Sequence, residues 1–172
     1  MARYTEAPDL KKLSKQIVEK YPSQYPYVAT DRIIFVWDEK PKEQKKYAYV
    51  RKIDDLSKSR DPDHDFYLVV ARYMVKDFSE SQLKALLCHE LNHIGERDLD
   101  KDGNEKVKLI NHDFEEFYSI VGAFGQDWPY NPNCPDPLKT TVTFTYRPAM
   151  PSSKDKKKRE KNTNLQIAAK NK

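Results

Sequence analysis

Two histidines and one glutamate carry the chemistry of this chain. They stand as His89-Glu90-x-x-His93 inside the run Cys88-His89-Glu90-Leu91-Asn92-His93-Ile94-Gly95. On a helix, residues four apart lie one above the other on the same face. His89 and His93 are therefore placed to offer two imidazole nitrogens to one metal ion. Glu90 follows the first of them directly and can reach a water beside that metal. The chemistry such an arrangement supports is zinc-assisted hydrolysis of a peptide bond, with Glu90 as general base. Zinc would bring the pKa of a water toward 7 and polarise the scissile carbonyl. Glu90 would take the proton of the water and hand it to the leaving amine.

A catalytic zinc takes three protein ligands and a water. The third is expected from the cluster His112-Asp113-Phe114-Glu115-Glu116-Phe117. His112 comes first, because imidazole suits zinc well; Glu116 and Asp113 are the alternatives, since spacing does not choose among ligand types. Helix capping is the bland account of the acidic residues, with Asp113 as N-cap and Glu115 and Glu116 favoured by the helix dipole. The longer metzincin pattern is excluded. It needs Gly and His where this chain has Glu96 and Leu99. His64, in the polar run Asp61-Pro62-Asp63-His64-Asp65, is read as a solvated loop residue. Asp98-Leu99-Asp100-Lys101-Asp102-Gly103 copies the first half of a calcium loop, but the twelfth position is Leu109 instead of Glu. It is read as an Asp-Gly turn.

Elements must hold these residues in place. Ser79 and Gln82 form a capping-box signature. Leu83, Leu86, Leu87, Leu91 and Ile94 then give an apolar stripe at helical spacing, and Gly95 sits where a C-terminal cap is expected. The motif helix is thus predicted at about 80–94. Cys88 within it reads as a small core thiol. An earlier helix is predicted over 9–20. Strands are predicted at 32–37, 47–53 and 65–75 from their β-branched and aromatic content. Residues 57–64 read as loop. A short strand is predicted near 106–110, a second helix from Asp113 to Phe124 ending at Gly125, and a late edge strand over 140–147. Four prolines make 128–138 irregular.

The 172 residues suit one domain plus a tail. The expected division is a zincin-like metallopeptidase domain over 1–149 and a disordered basic tail over 150–172. Charge is split accordingly. Residues 139–172 hold ten Lys/Arg against two Asp/Glu, a net of +8, and residues 1–138 hold 21 against 25, a net of −4. No apolar run is long enough to span a membrane. The N-terminus lacks the apolar core of a signal peptide. Two cysteines, Cys88 and Cys134, make no disulfide framework. The expected location is cytoplasmic, the expected partner a protein or peptide substrate, and no membrane contact is expected.

The pattern resembles the putative phage metallopeptidase family. The correspondence runs from the first helix to Trp128. Its pieces are Lys20-Tyr21-Pro22, Arg32-Ile33-Ile34-Phe35, Asp65-Phe66-Tyr67-Leu68-Val69, Ala85 through Ile94, and His112 through Phe117 followed by Gly125 and Trp128. The helix after the motif also looks like that of the SprT-like proteases, where a Phe follows the third ligand, a His, by four residues. Here Phe117 is five after His112 and four after Asp113, so the choice of third ligand stays open. The resemblance implies a compact zincin-like fold and a phage or prophage origin, hence host cytoplasm. The expected fold is α+β: an N-terminal helix, a small twisted sheet, the motif helix and a following ligand-bearing helix.

Two other readings stand beside zinc-dependent peptide hydrolysis. A nucleic-acid-associated phage protein could use Lys154–Lys161 for weak phosphate contact, a run that is otherwise a solvated tail. A non-catalytic zincin could use its metal only to hold the fold.

Overall fold

The computed structural model describes residues 3–42, 44–99, 101, 105–112 and 116–145. Several expectations fall outside them: the basic tail over 150–172 with Lys154–Lys161, the Asp102-Gly103 turn, and Asp113.

The architecture is α+β. The elements in order are β1 (Tyr4–Glu6), α1 (Pro8–Lys20), β2 (Ile33–Asp38), β3 (Ala48–Lys52), α2 (Asp55–Arg60), β4 (Phe66–Ala71), α3 (Glu80–Asn92), β5 (Ile94–Leu99), β6 (Glu105–Leu109) and α4 (Tyr118–Phe124). Four strands form a sheet in the order β1-β2-β4-β3, and β5 and β6 form a separate hairpin. Strands β2 and β4 are parallel, and β3 runs antiparallel to β4 along the edge of the sheet. Alternation decides which face is buried. Ile33, Phe35, Trp37, Phe66, Leu68 and Val70 point to the core. There they meet Leu10 and Ile17 of α1 and Leu87 and Leu91 of α3.

Helix α3 is the central element. Its capping box is formed: Gln82 N–H donates to Ser79 Oγ at 3.2 Å, and Ser79 N–H donates to Gln82 Oε1 at 2.8 Å. Its buried positions run without a break from Lys84 to Leu91, so it is enclosed instead of amphipathic. The buried Lys84 ammonium is matched by Asp136 at 2.7 Å and Glu80 at 2.8 Å. Cys88 is fully buried, and burial pushes its thiol up to about 12. It is the inert core thiol that the sequence suggests.

Four expectations need correction. Residues 55–60 form the short helix α2, capped by Asp54, which accepts from Ser57 N–H at 3.0 Å. Gly95 is no helix cap. The helix ends at Asn92, and Gly95 lies in β5, where a Cβ would come within 3.1 Å of Ile110 and 3.2 Å of Lys108. It is glycine because β6 and the chain after it cross closely. The second helix begins at Tyr118, not Asp113, so His112 and Glu116 precede it. It does end at Gly125, whose φ of 84° is the left-handed region glycine favours. Finally, residues 140–145 form no strand. Lys20 Nζ instead donates to the carbonyls of Pro137, Leu138 and Thr140 at 2.7, 3.1 and 2.8 Å. Phe144 packs edge-on against Tyr21 and Tyr25.

Candidate metal centre

Three imidazoles converge at one end of α3. His89 and His93 come from the helix, and His112 comes from the chain leaving β6. Each offers a nitrogen, and these nitrogens lie within 4.8 Å of one another. His89 Nε2 and His112 Nε2 are 3.0 Å apart.

What the other ring nitrogens do fixes the chemistry. His93 Nδ1 lies 2.7 Å from the Ile110 carbonyl oxygen. His89 Nδ1 is in direct contact with the Glu116 carboxylate. A carbonyl and a carboxylate only accept, so these contacts favour the proton on each Nδ1. Each Nε2 then keeps its lone pair. Burial holds His93 well below the ordinary histidine range, at about 4, against the opposing pull of the Ile110 carbonyl. It stays neutral at pH 7, as a metal ligand must. Donor nitrogens made available by acceptors behind the rings are the arrangement found around protein-bound metals. The trio fits a divalent transition metal.

Glu116 therefore stands behind His89 instead of beside His112. Its Oε1 also accepts from Phe117 N–H at 2.9 Å, and its Oε2 from Trp128 Nε1 at 3.3 Å. Burial alone would raise the Glu116 carboxyl, but these donors and His89 hold it below its ordinary value. It remains a charged acceptor.

Glu90 is 3 % exposed, and its Oε1 stands 4.0 Å from His89 Nε2. Its Oε2 meets no hydrogen-bond donor among the described residues. Burial pushes the carboxyl up to about 7, against the opposing pull of His89 and Lys46. The trio and Glu90 open on a cleft of about 440 Å³. Its walls are edge strand β3, the end of β6 with Ile110 and Asn111, and Trp128-Pro129. His64 lies elsewhere, half-buried with Nδ1 at 2.8 Å from Asp61. Asp98 is in β5, paired with Lys108 at 3.1 Å.

A family model matches residues 2–141. The chain belongs to the putative phage metallopeptidase family. That membership suggests a hydrolase and implies a metal ion, which the three histidines suit. No curated protein and no solved structure matches the chain. No helix among the described residues is long and apolar enough to cross a membrane.

Sequence reasoning finds His89, Glu90, His93 and His112 and misses two residues that orient them. Ile110 acts through its backbone carbonyl, which every residue has, so no signal marks it. Trp128 enters the sequence only as the end of the family resemblance, and nothing there marks its bond to Glu116.

Proposed function

We propose that this protein is a zinc-dependent peptidase in which His89, His93 and His112 hold the metal and Glu90 is the general base. The observation that carries this reading is the orientation of the imidazoles. Two of them turn their protonated nitrogens to acceptors, and all three gather nitrogens beside one buried carboxylate. When bound, zinc supplies Lewis acidity for activating a water and polarising a carbonyl. His89 and His93 would hold the metal through Nε2, kept in the matching tautomer by Glu116 and Ile110. Glu90 takes a proton from the attacking water on a carboxylate oxygen and passes it to the leaving nitrogen as the C–N bond breaks. The enclosed face of α3 keeps bulk water from Glu90.

Strand β3 supports a peptide as the substrate. It pairs with β4 on one side only, and Ala48, Tyr49 and Val50 line the cleft. An extended peptide can add to such an edge through main-chain hydrogen bonds.

The test is zinc-loaded protein against a mixture of unstructured peptides, followed by mass spectrometry. Wild type is expected to bind one zinc per chain and to cleave. Glu90→Gln should keep the zinc and lose cleavage. Metal-free wild type after zinc loading would sink the reading. Equal cleavage by Glu90→Gln would remove Glu90 as the base, and zinc binding with no cleavage would leave a metal that only holds the fold.

A further inference from the structure

We propose that the cleft selects peptides carrying a carboxylate next to the scissile region, and that Lys46 is the residue that recognises it. The inference rests on reading the cleft as a peptidase site.

Lys46 lines the cleft just before β3 begins. Among the described lining residues it is the one lysine or arginine. The rest are imidazoles, Glu90, Glu116, and aromatic, aliphatic or amide side chains. Several cations elsewhere on the fold are engaged: Arg72 pairs with Glu39 at 3.0 Å, Lys108 with Glu96 at 2.7 Å, and Lys58 with Asp65 at 2.6 Å. Lys46 has no ion-pair partner among the described residues. Lys46 and Glu90 line the same cleft.

Glu90 is a buried carboxyl at the reacting end of the cleft, and its charged form would repel a substrate carboxylate placed near it. An ammonium on the wall of the same cleft offsets that repulsion, because it can answer a second anion. A neutral peptide gains nothing from Lys46, whereas a carboxylate gains a charge-assisted hydrogen bond at the exposed rim of the cleft. The position suits this role. A peptide lying along the edge of β3 passes Lys46 where the strand starts, on the same wall that leads to Glu90. Tyr47 and Trp128 supply the flat apolar surface beside it. The carboxylate can be a chain terminus or an Asp or Glu side chain. The first makes the enzyme trim C-terminal ends; the second makes it cut within acidic segments.

Binding separates recognition from catalysis. Zinc-loaded Glu90→Gln protein binds peptide without turning it over. The probes are apolar hexapeptides with Glu or Gln at each position in turn, each with a free or an amidated C-terminus, and the readout is calorimetric Kd. The expected result is about tenfold tighter binding of the charged member of one pair. Lys46→Met should abolish the difference, and Lys46→Arg should retain most of it. The pair that responds identifies the source of the carboxylate. Equal binding within every pair overturns the proposal, as does a preference that survives Lys46→Met, or no binding of any peptide. If Lys46 serves only to tune Glu90, then Lys46→Met shifts the pH profile of wild-type cleavage and leaves these binding constants alone, which also overturns it. A carboxylate preference in binding with no cleavage by zinc-loaded wild type removes the peptidase reading and leaves the recognition site standing.

Discussion

The candidate metal centre is assembled from two unlike regions. Helix α3 is buried almost all round, capped by a formed box and fixed by the Lys84–Asp136 pair. Its two histidines are set by helical spacing. The arm that brings His112 is a two-stranded hairpin with Leu99, Leu109 and Ile110 exposed. An isolated hairpin is marginal by itself, so its ties decide where His112 sits. One is reciprocal: Ile110 N–H donates to the His93 carbonyl at 2.8 Å, and His93 Nδ1 donates to the Ile110 carbonyl at 2.7 Å. The other is Arg97 on Asp65 at 2.7 Å. Two of the proposed ligands thus come from local geometry and one from tertiary contacts. Metal binding should therefore order the arm far more than the helix.

Removing ligands breaks this comparison most directly. His93→Ala deletes a ligand and the tie to Ile110 together. Zinc affinity, measured by chelator competition, is expected to fall by more than the roughly hundredfold seen for outer partners of metal sites. His112→Ala deletes a ligand from the looser region. Its loss should be clear but smaller, because the free protein recovers the entropy of an arm it no longer orders. A His112→Ala loss at or above that of His93→Ala would show that the arm is as rigid as the helix. An unchanged affinity would remove His112 from the site.

The same contrast explains what was legible in the sequence. Helix α3, its capping box and the register of His89, Glu90 and His93 follow from short-range rules that any helix obeys. The strands β2 and β4 are equally plain, because their apolar runs are buried. The hairpin was only half visible. Lys106–Ile110 reads as a strand, but its partner does not: Ile94 falls within the predicted helix, Gly95 reads as its cap, and Glu96-Arg97-Asp98 carry no strand signal. Gly95 gave the wrong signal, since a glycine after an apolar stripe looks like a cap when its real task is close approach to β6. Glu116 stands in the sequence as an alternative ligand, and the structure sets its carboxylate against His89 Nδ1. A carboxylate near a metal motif looks the same in sequence whether it binds the ion or the back of a histidine.

That ambiguity yields the next prediction. Glu116→Gln keeps the shape and one acceptor but removes the charge behind His89. Zinc affinity should fall about ten- to a hundredfold, less than for His93→Ala, with little change in the melting temperature of metal-free protein. Trp128→Phe removes one donor to Glu116 and should produce a smaller loss in the same direction. A Glu116→Gln loss as large as that of His93→Ala would make Glu116 a direct ligand after all.

The smallest effect on the metal, and the sharpest separation of the two regions, is expected at Asp65. Its buried carboxylate accepts from Arg32 at 2.6 Å, Lys58 at 2.6 Å and Arg97 at 2.7 Å. Burial raises its pKa, but Arg32, Lys58 and Arg97 outweigh that and hold it at about 2, below the ordinary 3.8. The charged form is therefore favoured by folding. The resulting stability, on the order of 2 kcal/mol, is fully present above about pH 4 and disappears as pH falls toward 2. Asp65→Asn should lower the melting temperature at pH 7 by roughly 4–8 °C. The gap to wild type should close as pH drops through that window. Only Arg97 among the three partners belongs to the arm, so hydrogen exchange should quicken in β5 and β6 while α3 stays protected. Zinc affinity should change by no more than a few-fold, because Ile110 still holds His93. If α3 loosens as much as the hairpin, the two regions unfold together. Asp65 would then be a support of the whole domain and not a tie of the arm.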